Sequence, residues 1–494
     1  MEKHLLLIIS ILTILSCKTA EKSSQEVIDP VEYSMDTNAD FLSEYPEINA
    51  ISIGIFKDGK KLTKYYGEID KGKNNKPNDN SLFEIASVTK TFTGFLTAQA
   101  VLEGKLNLED DIRKYLNGSY PNLEYQSQPI KIKNLLTHSA GFTRDFSSTL
   151  QKFFLDDISE SDEKELRTYN KEKLLEDLNN FELNTTPNTT YNYSPIVGPE
   201  ILAILLENVY QKPYSTLLNE FILKKIGMEN TAIHLDENAK KHIVNGYTDK
   251  GKLVKPAIEI LNGAGGGIKS TIPDLLKYIE YLLESKNPVI KEMKKPLFYD
   301  KEDDEDYGYF WRLNDKDILH NGGTGGSANW VIILPESNCG FTVHINSNGD
   351  TSGDLINAIA FNIYRDMASY PEKNMHQPVR KAILENTKNG ILYYKNLKKN
   401  NPSNYNFHDK NVLNNIGYDL LGENRITDAI QVFQLLVTEF PNSANAYDSL
   451  GEGYYKNKQY NLSLINYKKS LELNPKSTNP VKMIEKINEI LNEE

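Results

Sequence analysis

Apolar and polar residues first alternate at Ile51, Ile53 and Ile55, interleaved with Ser52 and Gly54. The alternation resumes from Leu62 to Tyr66, beyond Asp58-Gly59. Period-two patterning interrupted by Asp-Gly predicts a β-hairpin. From Phe83 the period changes. Phe83-Glu84-Ile85-Ala86-Ser87-Val88-Thr89-Lys90-Thr91-Phe92 runs into Phe95, Leu96, Val101 and Leu102. This spacing predicts a helix over 87–103, closed by Gly104. Ile132 to Gly141 predicts a short apolar helix ending in a turn. Residues 145–180 are acidic and helical in pattern, as expected of an inserted cap or lid, and further helices are predicted at 200–207 and 214–225. Thr271-Ile272-Pro273-Asp274 opens another, with Thr271 as cap. Between Tyr309 and Asn348 the pattern returns to strands, and Pro335-Glu336-Ser337-Asn338 reads as a hairpin turn. Strands at both ends with helices between predict an α+β fold, one antiparallel sheet fed from both ends of the domain.

Past about residue 370 a repeat appears. Pro441 and Pro475 are 34 residues apart, as are Gly417 and Gly451, Phe433 and Tyr467, and Ala429 and Ser463. Small, aromatic and proline positions in phase at this period are the tetratricopeptide signature of stacked helix pairs. Two repeats and a terminal helix from Pro480 are legible, fewer than the roughly three such units need. The helical segment 378–398 is therefore expected to pack against them, or the pair to lean on the preceding domain. The chain divides into 1–16, 17–38 (a polar tether), 39–370 (the α+β domain), 371–408 (a helical linker) and 409–494 (the repeats).

The 494 residues carry a net charge of −12, with no basic stripe, which argues against a nucleic-acid partner. Two cysteines exclude a disulfide framework. Cys339, in a strand-like stretch, reads as an inert, partly buried thiol. Cys17 follows an apolar run over residues 5–15, too short to span a membrane and suited to a signal peptide. Ile14-Leu15-Ser16-Cys17 resembles a bacterial lipobox, which makes Cys17 the lipidated first residue of a mature envelope lipoprotein; the alternative is an ordinary signal peptide cut nearby. Either way the chain is exported.

Candidate chemistry starts at Ser87. Near a helix N-terminus, free backbone N–H groups can stabilise an oxyanion, and Lys90 lies one turn on, able to take or relay the hydroxyl proton. Alone, Ser-x-x-Lys is a weak signal. Gly263-Ala264-Gly265-Gly266-Gly267-Ile268-Lys269-Ser270 fails as a phosphate loop, because Ile268 separates glycine from lysine; its glycines fit a backbone passing close to a cleft. His138 beside Ser139 invites a catalytic reading, but a histidine bonding backbone near a helix end is the plainer one.

Taken together, Ser87-Val88-Thr89-Lys90, Leu135-Leu136-Thr137-His138-Ser139-Ala140-Gly141, Tyr191-Asn192-Tyr193-Ser194, Gly265-Gly266-Gly267-Ile268-Lys269-Ser270-Thr271 and His320-Asn321-Gly322-Gly323 follow the order seen in serine β-lactamase-like hydrolases. The resemblance spans roughly residues 40–365 and is nearest class C β-lactamases, with related D-amino-acid peptidases and esterases. It implies a β-lactamase-like antiparallel sheet flanked by helices, with the all-α repeats outside it, and no metal or organic cofactor. It further implies that Ser87 is acylated, that Lys90 and Tyr193 move protons, and that the N–H groups of Ser87 and Gly323 form the oxyanion hole. His320, Gly322 and Ser194 join Gly323 as substrate-binding candidates.

Two departures bear on the activity. Pro195 stands where the Tyr-x-Asn motif has its amide, and Ser194-Pro195 reads instead as a helix cap and first position. His320 replaces the Lys-Thr-Gly lysine that faces a substrate carboxylate; a charged hydrogen bond is worth about 1.5–3 kcal/mol, and a neutral imidazole gives less. The resemblance therefore points to an ester, amide or peptide substrate. The rivals are a true β-lactamase or D-Ala-D-Ala carboxypeptidase, and a catalytically weak binding protein whose repeats recruit a peptide or protein partner. A neutral Lys90 at pH 7 needs its pKa lowered by about 3 pH units, or about 4 kcal/mol. A helix N-terminus supplies about 2 kcal/mol at best. Desolvation must supply the rest, or else Lys90 stays charged and lowers the pKa of Tyr193.

Overall fold

The computed structural model describes residues 29–143, 146–155, 158–314 and 317–493. The expected signal segment and lipid-attachment Cys17 lie outside the described residues. An eight-stranded antiparallel sheet runs, edge to edge, through Lys60–Gly67, Ala50–Lys57, Cys339–Ile345, Ala328–Leu334, Asp317–Gly323, Trp311–Asn314, Glu305–Gly308 and Phe298–Asp300. The N-terminal hairpin docks onto the C-terminal strands with Ile53 opposite Val343 and Ile55 opposite Phe341. Its turn holds Asp58 and Gly59 at φ 49° and 80°, the left-handed pair that a two-residue hairpin requires. The outer strand Lys60–Gly67 is lysine-bearing and partly exposed, which blunts it against edge pairing.

Both faces of the sheet are covered. Ile51, Ile53, Ile55, Trp330, Ile332 and Val343 face the helices Pro30–Ser43 and Asp350–Ser369. On the other face, Phe56, Val331 and Ile333 join the larger core with the helices Thr89–Leu102, Val197–Tyr210 and Ile272–Glu284. The helix Ile272–Glu284 lies so near the sheet that a Cβ at Gly54 would come within 2.5 Å of Ile272, and one at Gly340 within 2.5 Å of Ile279. We expect Gly54→Ala to lower stability by about 1–3 kcal/mol through overpacking, read as a drop in the thermal midpoint with secondary structure retained.

Several expectations need correction. The last part of the tether expected over 17–38 is helical. Asp29 caps the helix Pro30–Ser43 by accepting the Val31 N–H at 2.8 Å, and Val31, Met35, Ala39 and Leu42 are buried on the sheet. The segment 145–180 contains helices Glu160–Arg167 and Lys171–Asn180; Leu174 and Leu178 are buried in the main core, and Leu166 is buried as well, so the apolar face of the second helix is spent on the body of the domain. Leu102, at the end of its helix, is 44% exposed. The Val197–Tyr210 helix begins two residues after Pro195, with Pro199 tolerated in its first turn. Residues 371–408 are more than a linker: Val379, Ile383, Tyr394 and Leu397 share a third core with Val412, Ile416, Phe433 and Leu436.

That third core is built by the consecutive helices His376–Glu385, Thr387–Asn400, Asn411–Gly422, Ile426–Glu439 and Ala444–Lys456, and the helices Tyr460–Leu473 and Thr478–Glu493 follow. Positions 34 apart make matching contacts. A Cβ at Gly417 would meet the Phe433 ring at 2.2 Å, and one at Gly451 the Tyr467 ring at 3.1 Å. The unit meets the sheet domain through the helix Pro30–Ser43, with Tyr33 edge-on to Tyr405 and the Arg380 guanidinium over Phe41.

Candidate active site

Ser87 sits in a 3₁₀ turn, Ala86–Val88, that leads directly into the helix Thr89–Leu102. The residue before it, Ala86, holds φ at 45°, a conformation an L side chain adopts only under constraint. His138, Tyr309 and Phe310 also have left-handed φ, at 53°, 51° and 69°, and Ala86 directly precedes Ser87, which lines one cleft with His138 and Phe310. Such clustering of backbone strain is typical of sites where geometry is held by the surrounding fold.

The cleft has a volume of about 480 Å³ and is lined by Ser87, His138, Tyr191, Tyr193, Asp303, Tyr307, Phe310, Arg312, His320, Asn321 and Gly323. At its floor the Ser87 hydroxyl lies 2.7 Å from the Tyr193 hydroxyl and accepts a hydrogen bond from Lys90 Nζ at 3.0 Å. The ammonium also donates to the Gly265 carbonyl at 2.7 Å and sits 5.2 Å from the centre of the Tyr193 ring. Lys90 is wholly buried. Desolvation lowers its pKa from the ordinary lysine value, against the pull of Tyr193 and Glu200. Burial thus acts in the same direction as the helix end, which is too weak alone.

His320 reaches the cleft from the strand Asp317–Gly323 and is 7% exposed. Its Nδ1–H donates to the Asn321 carbonyl at 2.7 Å, which fixes the tautomer and leaves Nε2 as an acceptor. Burial, with Lys90 nearby, pushes its pKa down to about 3. It therefore offers the cleft a lone pair and no charge. Of the lining residues described, Arg312 alone is a permanent cation; it is paired with Glu305, Nε to Oε2 at 2.6 Å.

Two candidates do not face the cleft. Ser194 is buried; its N–H donates to His138 Nδ1 at 3.2 Å and its hydroxyl accepts the Gly198 N–H at 3.4 Å. It therefore ties two segments together behind Tyr193. Gly322 turns toward the segment that leads into Ser87, where a Cβ would come 2.4 Å from the Ile85 carbonyl. It permits close packing and does not touch the open volume. The His138 ring accepts that backbone N–H, yet it also lies 4.6 Å from the Tyr193 ring and lines the cleft. Residues that motif reading missed form the far wall: Tyr191 stacks on Tyr307 at 4.4 Å, with Asp303, Phe310, Arg312 and Asn321 alongside. Tyr191 and Asn321 lie within recognised motifs; the others have no local signal. Among the described residues no group of three His, Cys, Asp or Glu side chains is placed to hold a metal ion.

A serine, a buried lysine and a tyrosine on one side of an antiparallel sheet, with a histidine-bearing strand opposite, form an arrangement of the kind serine hydrolases use. The chain belongs to the beta-lactamase family, whose model matches residues 38–363. Members of this family are serine hydrolases. Protein flp of Staphylococcus aureus strain MRSA252 is 26% identical over 340 residues, covering 66% of this chain and 65% of that protein. The match thus spans just under two thirds of that relative's length. A beta-lactamase of Providencia stuartii is 28% identical over 245 residues, 49% of this chain and 58% of that protein. Among solved structures, a beta-lactamase/D-alanine carboxypeptidase from Yersinia pestis aligns with a TM-score of 0.57 at 19% identity, over 68% of this chain and 99% of that one. The octameric penicillin-binding protein homologue from Pyrococcus abyssi aligns with a TM-score of 0.57 at 22% identity, over 72% of this chain and 82% of that one. The last two likenesses concern the fold.

Proposed function

We propose that this protein is a serine hydrolase that cleaves an ester, amide or peptide bond through an acyl-enzyme on Ser87. The observation that carries this reading is the pair of contacts on the Ser87 hydroxyl, 2.7 Å to Tyr193 and 3.0 Å from Lys90. As Ser87 Oγ attacks the carbonyl carbon, its proton passes to the Lys90–Tyr193 pair, which titrates as a unit. The oxygen that gains charge faces the N–H groups of Ser87 and Gly323. The pair then protonates the leaving alcohol or amine, and later draws a proton from the water that releases the acid. Mass spectrometry of the intact protein tests this, after exposure to p-nitrophenyl esters, D-amino-acid amides and penicillins. A stable or trapped adduct that maps to Ser87 is expected; no adduct from any of them sinks the reading.

The relatives named for β-lactam and D-alanine chemistry make a β-lactamase or carboxypeptidase the second reading. His320 weighs against it, because a neutral acceptor cannot replace a lysine facing a carboxylate. Turnover of a p-nitrophenyl ester is expected to exceed that of a chromogenic cephalosporin, and His320→Lys to shift the ratio toward the cephalosporin. With His320 near 3, it contributes no inflection between pH 5 and 8. We read residues 409–494 as tetratricopeptide repeats on the matching contacts 34 residues apart, and as a short surface for a peptide partner or for stabilising the domain. Export and anchoring through Cys17 to the cell envelope rest on the N-terminal sequence pattern. Among the described residues no helix is long and apolar enough to cross a membrane.

A further inference from the structure

The helix Val197–Tyr210 carries one acidic residue, Glu200, on its buried side, where it is 2% exposed. A carboxylate so placed must find donors or be neutral. Its donors are backbone: Oε2 accepts the Asn262 N–H at 3.0 Å and Oε1 the Ala264 N–H at 2.7 Å. The next residue, Gly265, is the one whose carbonyl accepts Lys90 Nζ at 2.7 Å. The loop has little freedom otherwise. Thr93 Oγ1 donates to the Ala264 carbonyl at 2.8 Å, and a Cβ at Gly265 would lie 2.4 Å from the Pro195 carbonyl. The glycine-rich stretch that fails as a phosphate loop is therefore the support on which the lysine rests, and Pro195, which brings no amide, forms its opposite wall.

We propose that Glu200 is a positioning residue for the reaction: by holding the Asn262 and Ala264 N–H groups it fixes the Gly265 carbonyl as the acceptor that aims Lys90 at Ser87. This rests on the acyl-enzyme reading above. The carbonyl takes over a task for which the missing asparagine amide is the obvious alternative. Burial raises the Glu200 pKa to about 7. The titratable groups facing it are Lys90, Glu207 and Tyr214. When protonated, the carboxyl has one acceptor fewer for the loop, so support weakens as pH falls through about 7.

The test is the rate at which a fluorophosphonate labels Ser87 between pH 5 and 9 in wild type, Glu200→Gln and Glu200→Asp. A glutamine presents an NH₂ where a backbone N–H needs an acceptor. It is expected to slow labelling at pH 8 by about 10–100-fold, the scale of a small misplacement of a reacting group, and to remove the inflection near pH 7. Aspartate, charged but shorter, is expected to recover much of the rate with its midpoint moved to lower pH. Glu200→Gln with the wild-type rate and midpoint overturns the proposal. So does a slowed variant whose midpoint is unmoved, because that is a general loss of packing. If the glutamine variant does not fold, the aspartate midpoint decides: unmoved, it overturns the proposal. A wild type that never labels refutes the hydrolase reading itself, an outcome distinct from all of these.

Discussion

Ser87→Ala is expected to abolish acyl-adduct formation and to lower ester turnover by about a millionfold, the scale seen when the nucleophile of a serine hydrolase is removed. The change deletes a single oxygen that two groups converge on. Alanine is compatible with the short turn Ala86–Val88, and the apolar helix behind it is untouched. The thermal midpoint should accordingly stay near that of wild type. Intact-mass measurement and p-nitrophenyl acetate turnover on the same preparation check both halves of the expectation. Turnover within tenfold of wild type would mean that the acyl group is carried elsewhere, or that no covalent intermediate forms.

Tyr193→Phe is the second large effect. It removes the hydroxyl 2.7 Å from Ser87 while leaving the ring against His138, so the loss is one of proton handling. General acid–base catalysis contributes about 10²–10⁴-fold, and a decrease in kcat/KM of that order is expected. Lys90→Met should cost a similar factor. Because the two groups act on the same proton, the double variant should be far less impaired than the product of the single losses. Additive losses would mean that tyrosine and lysine serve separate steps.

The sequence made the site legible where its members are close in the chain or lie inside a short motif. Ser87 and Lys90 share one helical turn, and Tyr193, His320 and Gly323 sit in recognisable segments. Orientation was harder to read. Ser194 and Gly322 lie beside cleft residues, but local backbone direction turns them to the rear. Glu200 showed nothing in sequence beyond a polar residue in an apolar helix, because its partners are N–H groups more than 60 positions away. The wall of Tyr307, Phe310 and Arg312 exists only once the strands pair. One antiparallel sheet fed from both ends was legible in the alternation, whereas the strand order comes from the structure. The helix Pro30–Ser43 was hidden by polar neighbours, although Asp29-Pro30 is a capping signal and Val31, Met35, Ala39 and Leu42 keep a helical spacing.

That helix has a practical consequence. The family match starts at residue 38, midway along it, so a fragment trimmed to the match keeps Ala39 and Leu42 but discards Val31 and Met35. The vacated strip would expose the apolar back of the sheet and remove Tyr33 from its seat on Tyr405. Recombinant work on the sheet domain should begin upstream of Asp29; a shorter version invites aggregation that could be mistaken for a lack of activity.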